Sequence, residues 1–208
     1  MTRLLLKFFI ALHNFSYKAI SSLVVRIHDG QHPKHDIMRY HDFFVNNITR
    51  GDVVLDIGCG NGSVAHDISK KAAQVFAIDI EEEKITVAKK KFQNDNLEYI
   101  LGDATTYNFK AEFDVIILSN VLEHIENRIE FLLKIKRLAK KILIRVPLLT
   151  RDWLPVYKKE GGFEYRLDNT HFIEYTEKNF KEELEKSGLE IENYYVKFGE
   201  LYAIVKQN

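Results

Sequence analysis

Two kinds of hydrophobic pattern alternate along the chain. The first is a short, nearly continuous apolar run, seen at 53–57, 75–78, 97–101, 113–118 and 142–146. Runs of this length read as strands buried on both faces of a parallel sheet. In the second, apolar residues recur at three- and four-residue steps. Residues 2–27 read this way as one or two helices, through Leu5, Phe8, Phe9, Leu12, Phe15, Ala19 and Leu23. A turn over residues 28–35 leads to a helix ending near Asn47, with Ile37, Tyr40, Phe44 and Val45 inward. Further helices are predicted from Gly62 or Ser63 to Ala72, over 82–92, from after Ile125 through Lys140, and over 177–187. Thr176 is the N-cap of the last and Gly188 its stop. Two final strands, 191–196 and 201–205, join around Gly199. Residues 147–169 follow neither pattern and read as a lid or binding segment, or more plainly as a surface loop. Strands alternating with helices place the chain in the α/β class, and 208 residues make one domain the default.

The run at 53–57 stops at Gly58, and Gly60 and Gly62 follow at alternate positions. A strand, a glycine-rich turn and a helix start let a ligand approach bare backbone and free N–H groups. Asp79 closes the second run, about twenty residues after the first glycine, where a carboxylate can accept both hydroxyls of a ribose. Together these features point to an adenosine-containing ligand. The glycine spacing is not the Gly-x-Gly-x-x-Gly of nicotinamide sites, and no Gly-Lys-Ser/Thr phosphate loop follows. Asp56, just before the turn, would oppose a pyrophosphate.

Asp56-Ile57-Gly58-Cys59-Gly60-Asn61-Gly62 resembles the first motif of the class I S-adenosylmethionine (SAM) methyltransferases. The ligand there carries an ammonium and a sulfonium, which suit a nearby carboxylate. The resemblance covers residues 50–206. It implies a doubly wound, Rossmann-like seven-stranded sheet ending in an antiparallel hairpin. Residues 49–208 would form the methyltransferase domain and 1–48 an N-terminal helical extension or cap. In that family an acid after the third strand bonds the adenine amino group beside a small residue, which Asp103 and Ala104 match. A turn or cap role is the plainer reading of Asp103. The implied cofactor-binding set is Asp56, Gly58, Gly60, Asp79, Ile80, Asp103, Ala104 and Asn120. His35 and Tyr40, in the cap, could reach SAM or substrate.

Ser119-Asn120-Val121-Leu122-Glu123-His124-Ile125 resembles the fourth motif of small-molecule methyltransferases, which puts Asn120, Glu123 and His124 near the methyl group. Glu123-His124 with the later Arg166–Thr176 stretch, which holds His171, resembles the small-RNA 2′-O-methyltransferases. Those hold a divalent metal with a Glu-x-x-Glu-His element and a distant His. Glu123, His124 and His171 match three ligands, while Asn120 stands where the first Glu would be. Ubiquinone-pathway O-methyltransferases share the Glu-His pair. One carboxylate and two imidazoles suit manganese, zinc or iron, and such a metal would lower the pKa of a bound hydroxyl. Glu123, His124 and His171 are therefore the catalytic and metal-binding candidates. The plainer alternative is that His124 caps or packs while His171 orients substrate. The His pair favours O- over N-methylation, since a hydroxyl must lose a proton.

Charge narrows the acceptor. Thirty Lys and Arg balance thirty Asp and Glu, which gives no electrostatic grip on nucleic acid. A small acceptor with a sugar or phenolic hydroxyl, lipid-linked or free, is the expectation. Cys59 is the single cysteine, so no intrachain disulfide forms and a reducing, cytoplasmic setting is expected. It reads as a small residue filling the turn. Four of the eight histidines lie between His28 and His41, but Pro33 splits them, which argues against a metal cluster there. Lys89-Lys90-Lys91 read as the solvated end of a helix. The apolar start is broken by Lys7 and lacks a small-residue cleavage site, so it reads as mature protein, and no stretch reads as a bilayer span. With Arg3, Lys7, Lys18 and Arg26, residues 1–27 either pack on the core edge or a second subunit, as in a homodimer, or rest on a membrane surface. Two other classes stay open: a nicotinamide oxidoreductase, which would bind NADH and not SAM, and a non-catalytic SAM-binding subunit.

Overall fold

The computed structural model describes residues 1–28 and 32–207; part of the turn expected at 28–35 lies outside them. Seven strands form one sheet: β1 (Val53–Ile57), β2 (Gln74–Asp79), β3 (Leu97–Leu101), β4 (Phe113–Ser119), β5 (Ala139–Pro147), β6 (Leu189–Lys197) and β7 (Glu200–Gln207). Their order is β3-β2-β1-β4-β5-β7-β6. The first five are parallel, and β7 lies antiparallel between β5 and β6. Phe198 and Gly199 turn the final hairpin with positive φ, 51° and 72°. This is the seven-stranded, doubly wound architecture expected from the sequence.

Eight α-helices flank the sheet among the described residues: α1 (Thr2–Ile27), α2 (Lys34–Met38), α3 (Tyr40–Asn46), α4 (Ser63–Ser69), α5 (Glu82–Lys91), α6 (Arg128–Ile135), α7 (Trp153–Glu160) and α8 (Glu177–Lys186). Strand side chains alternate between two cores. Leu55, Ile57, Ile116 and Leu118 pack with Phe131, Leu132, Phe180 and Leu184 of α6 and α8. Val54, Val115, Ile117 and Leu143 pack with Phe43, Phe44, Ala65, Ile68 and Ile85 of α3, α4 and α5. Each fully buried Leu or Ile contributes roughly 1.5–3 kcal/mol of transfer free energy. Both faces are covered, which is why the strands read as unbroken apolar runs. Strand order reverses between β1 and β4, and the crevice at their carboxyl ends is where a doubly wound sheet takes ligands.

Four elements differ from expectation. The helix expected to end near Asn47 is two helices, because Arg39 takes a left-handed φ of 50° and redirects the chain. The helix expected through Lys140 stops at Ile135; the Leu138 N–H closes the turn on the Ile135 carbonyl and β5 begins at Ala139. Apolar residues continue across that junction, so periodicity alone did not mark it. Residues 147–169 are not irregular: they hold a 3-10 turn, Leu149–Arg151, and α7. Asp152 caps α7 by accepting from the Leu154 N–H at 2.9 Å, and Pro155 sits in the first turn, where its missing N–H costs nothing. The fourth difference is α1. It is one helix, and Leu5, Phe8, Phe9, Leu12, Phe15 and Leu23 are exposed; Ile10 alone on it is buried. By length and composition α1 is long and apolar enough to cross a membrane, despite Lys7.

Candidate functional site

The turn after β1 is shaped by its glycines. Gly58, Gly60 and Gly62 have φ of 68°, 56° and 83°, a region costly for residues with a Cβ. A Cβ on Gly62 would lie 2.5 Å from the Tyr99 hydroxyl and 2.9 Å from Ala88, so this glycine lets α4 seat against the sheet. A Cβ on Gly60 would meet nothing within 4 Å, which leaves its backbone open to a ligand. Asp79 ties β2 to this turn: its Oδ2 accepts from the Gly60 N–H at 2.8 Å and its Oδ1 from the Glu81 N–H at 2.9 Å.

A cleft of about 860 Å³ opens at the switch point, lined by Gly58, Asp79, Ile80, Asp103, Ala104, Asn120 and His124 among others. Asp103 also holds its own turn, accepting at Oδ1 from the Thr105 N–H and hydroxyl, so the cap reading is present as well. Asn120 has a positive φ of 56° and accepts at Oδ1 from Arg145 Nε at 3.1 Å. Asp56 closes on the turn from β1, buried, with no partner for Oδ2 among the described residues. Burial, and then the Asp79 carboxylate, push its pKa up to about 8. Cys59 is buried, and burial pushes its thiol up, away from nucleophilic use.

At one side of the cleft the chain brings together residues 47 positions apart. Candidate ligand atoms of Glu123, His124 and His171 all lie within 4.8 Å of one another. The two imidazole rings meet edge to face at 4.6 Å between centroids. Each is held through Nδ1: His124 by the Thr170 hydroxyl at 2.8 Å, His171 by Glu174 Oε1 at 2.9 Å. Neither Nε2 atom has a hydrogen-bond partner among the described residues. Glu174 is itself fixed by Arg151 at 2.7 Å and the Leu167 N–H at 2.6 Å. Glu123 is fully buried, neither carboxylate oxygen is hydrogen-bonded among the described residues, and burial pushes its pKa up to about 8. Burial, then the neighbouring His171, hold His124 below its usual value.

Behind Glu123 sits an ion pair that sequence reading missed. Arg145 Nε lies 2.6 Å from Glu200 Oε2, and its guanidinium stacks 3.7 Å over the Tyr40 ring. The available signal was a lone arginine inside the apolar run of β5, since a charge in a buried strand needs a partner. Glu174, three residues after His171, was missed too. Tyr40 and His35 are not among the residues lining the 860 Å³ cleft. Instead His35 joins a polar chain, Tyr40–His35–His41–Asp67, with contacts of 2.9, 3.1 and 2.7 Å.

The family model described as a methyltransferase domain matches residues 55–142. The chain belongs to the class I SAM-dependent methyltransferases. A probable cobalt-precorrin-6B C(15)-methyltransferase (decarboxylating) of Methanococcus maripaludis is 37% identical over 125 residues, 59% of this chain and 67% of that protein. A mitochondrial ubiquinone biosynthesis O-methyltransferase of Schizosaccharomyces pombe is 35% identical over 103 residues, 47% of this chain. The match spans only 38% of the yeast protein's length. A SAM-dependent methyltransferase from Clostridium acetobutylicum shares the fold, with a TM-score of 0.67 and 15% identity over 93% of this chain and 99% of its own.

Proposed function

We propose that this chain transfers a methyl group from SAM to a hydroxyl of a small-molecule acceptor, with Glu123, His124 and His171 holding a divalent cation on the acceptor side. The observation that carries this reading is the Glu123–His124–His171 cluster beside the cleft. Residues 49–208 act as the catalytic domain and 1–48 as its cap. Bound SAM supplies an electrophilic methyl on a sulfonium. Gly58, Ile80, Asp103, Ala104 and Asn120 line its place, and Gly60 lets it near the backbone. Asp79 keeps lone pairs for ribose hydroxyls beyond those used by the Gly60 and Glu81 amides. The unpartnered Asp56 carboxylate favours the positive charge of the ligand. These groups fit SAM and would disfavour a pyrophosphate.

The donor set also fits a cation. A buried carboxylate with two unpartnered oxygens is costly until a proton or a cation satisfies it. The contacts on the far ring nitrogens, Thr170 to His124 and Glu174 to His171, are those that orient imidazole ligands. Manganese, zinc or iron suits one carboxylate and two imidazoles, and the ion would lower the pKa of an acceptor hydroxyl. The protein's remaining task is alignment of the oxygen with the methyl and exclusion of water. A metal-free second reading is favoured by the lowered pKa of His124, which keeps the ring neutral at neutral pH. Its Nε2 would then take the hydroxyl proton as the new O–C bond forms and the methyl–sulfur bond breaks, its electron pair returning to sulfur and the neutral thioether, S-adenosylhomocysteine, leaving. The relatives' names include both an O- and a C-methyltransferase, so the preference for oxygen rests on the histidines.

Calorimetric titration of chelator-stripped protein with manganese and with zinc tests the metal. Wild type is expected to bind one of them and His171→Ala at least about 10-fold more weakly, with SAM affinity the same in both. A wild type that takes up neither ion sinks the metal site. The metal-free reading then predicts turnover that falls below neutral pH as His124 protonates.

A further inference from the structure

We propose that α1 seats the protein on an anionic lipid bilayer, lying in the headgroup plane with its outer face in the acyl boundary. Leu4, Leu5, Phe8, Phe9, Leu12, Phe15, Ile20, Leu23 and Ile27 are each at least 45% exposed. A run of apolar side chains this long on an open surface marks an interaction site. Its charge identifies the occupant. Arg3, Lys7, Lys18 and Arg26 share the helix with no acid, since the first acidic residue in the chain is Asp29, and among the described residues none of the four forms an ion pair, although the chain as a whole is balanced at thirty and thirty. An anionic headgroup layer complements that face. A second copy of α1 would bring like charges together.

The helix is long enough to span a bilayer, but its contacts argue for lying flat. Along its middle it is held to the body of the protein. The Asn14 amide donates to the Glu164 carbonyl at 3.2 Å, Lys18 to Asn169 Oδ1 at 3.4 Å, and Ser21 pairs with His32 at 3.2 Å. Lys158 on α7, only 4% exposed, reaches Asn14 Oδ1 at 2.6 Å and His13 Nδ1 at 3.2 Å. A spanning helix would carry His13, Asn14 and Lys18 into hydrocarbon and break these bonds. A helix in the headgroup plane keeps them and buries only its outer face.

The placement bears on the acceptor, and here the inference rests on the function proposed above. The segment that α1 grips, 164–169, contains Asp168 and runs on into Thr170, both of which line the cleft, and then into His171. A bilayer against α1 therefore lies beside the catalytic mouth. The acceptor class becomes an amphiphile whose hydroxyl-bearing head sits at the membrane surface.

Vesicle co-sedimentation of the full chain tests the seating without any turnover. Wild type should pellet with phosphatidylcholine–phosphatidylglycerol vesicles and far less with phosphatidylcholine alone. The double substitution Phe8→Glu/Phe15→Glu should abolish pelleting. Arg3→Gln/Lys7→Gln should weaken it by roughly 10- to 30-fold, at about 1 kcal/mol per basic residue. SAM affinity, measured on the same preparations, should match wild type in both variants, which separates lost seating from lost folding. Should either variant misfold, Leu5→Ser/Leu12→Ser replaces it. Wild type that ignores anionic vesicles overturns the proposal, as does a soluble dimer dispersed by Phe8→Glu/Phe15→Glu. Retention in the membrane after an alkaline carbonate wash overturns the in-plane geometry. A long-chain alkyl catechol in vesicles, compared with catechol in buffer, then reads the acceptor class. Preference for the embedded probe that Phe8→Glu/Phe15→Glu removes is expected. Turnover of neither probe counts against the hydroxyl-acceptor reading and leaves the seating result standing.

Discussion

In the proposed site, Asp56 would tie stability to ligand binding through a single carboxyl. Its unfolded pKa is near 3.9, and burial and Asp79 raise the folded value to about 8. Between those values the folded chain holds a proton that the unfolded chain has lost. Its contribution to stability is therefore full below about pH 4 and is lost as pH rises toward 8. A cationic ligand reverses the preference by favouring the carboxylate. SAM affinity is expected to rise from pH 6 to 8.5, with proton release at neutral pH seen as buffer-dependent heats. Asp56→Asn should flatten both trends. At pH 8 its free protein should melt higher than wild type while SAM binds roughly 10- to 100-fold more weakly, the worth of a hydrogen bond to a charged group. Unchanged SAM affinity in Asp56→Asn would remove this residue from the site. Asp56 was legible in sequence because its neighbours are fixed by local spacing. Arg145 and Glu200 were not, because their pairing joins strands 55 positions apart.

The glycine turn divides its labour between two elements. Gly62 serves packing, because a Cβ there collides with Tyr99 and Ala88. In the proposed site Gly60 would serve ligand approach, because a Cβ there meets open space. Gly62→Ala should cost at least the 1–2 kcal/mol of left-handed backbone, about 2–8 °C in Tm, with only a secondary effect on SAM. Gly60→Ala should lower Tm less and weaken SAM more. Melting curves with and without SAM separate the two; equal behaviour would mean the turn acts as one unit. Element boundaries were legible where a cap or breaker stands, as at Thr176 and Gly188. They were not at the end of α6, where apolar residues run on into β5. Nor were they in α7, whose cap Asp152 precedes a short, mixed sequence with no clear period.

At the scale of the molecule, the cleft at the switch point couples ligand and fold. A ligand bound only by the folded state at 100 times its Kd adds about 2.7 kcal/mol. For a chain of this size that is a Tm rise of roughly 5–10 °C. SAM should give this shift and NADH should not, as read by differential scanning fluorimetry. A shift with NADH alone would overturn the cofactor assignment.

The strands, the positions of the glycine turn and of Asp79 at the end of β2, and the capped last helix were legible in the sequence alone, because backbone repeat and turn chemistry act over a few neighbouring residues. The meeting of Glu123 and His124 with His171, the Glu174 and Thr170 contacts that orient the rings, and the Arg145–Glu200 pair were decided only by the tertiary structure. Those contacts depend on which strands and loops the whole sheet brings together. The same is true of α1. Its periodicity marked a helix, but periodicity cannot say which face finds a partner. In the folded chain the inner contacts fall to Ile10, His13, Asn14 and Lys18, and the larger apolar side chains are left outward.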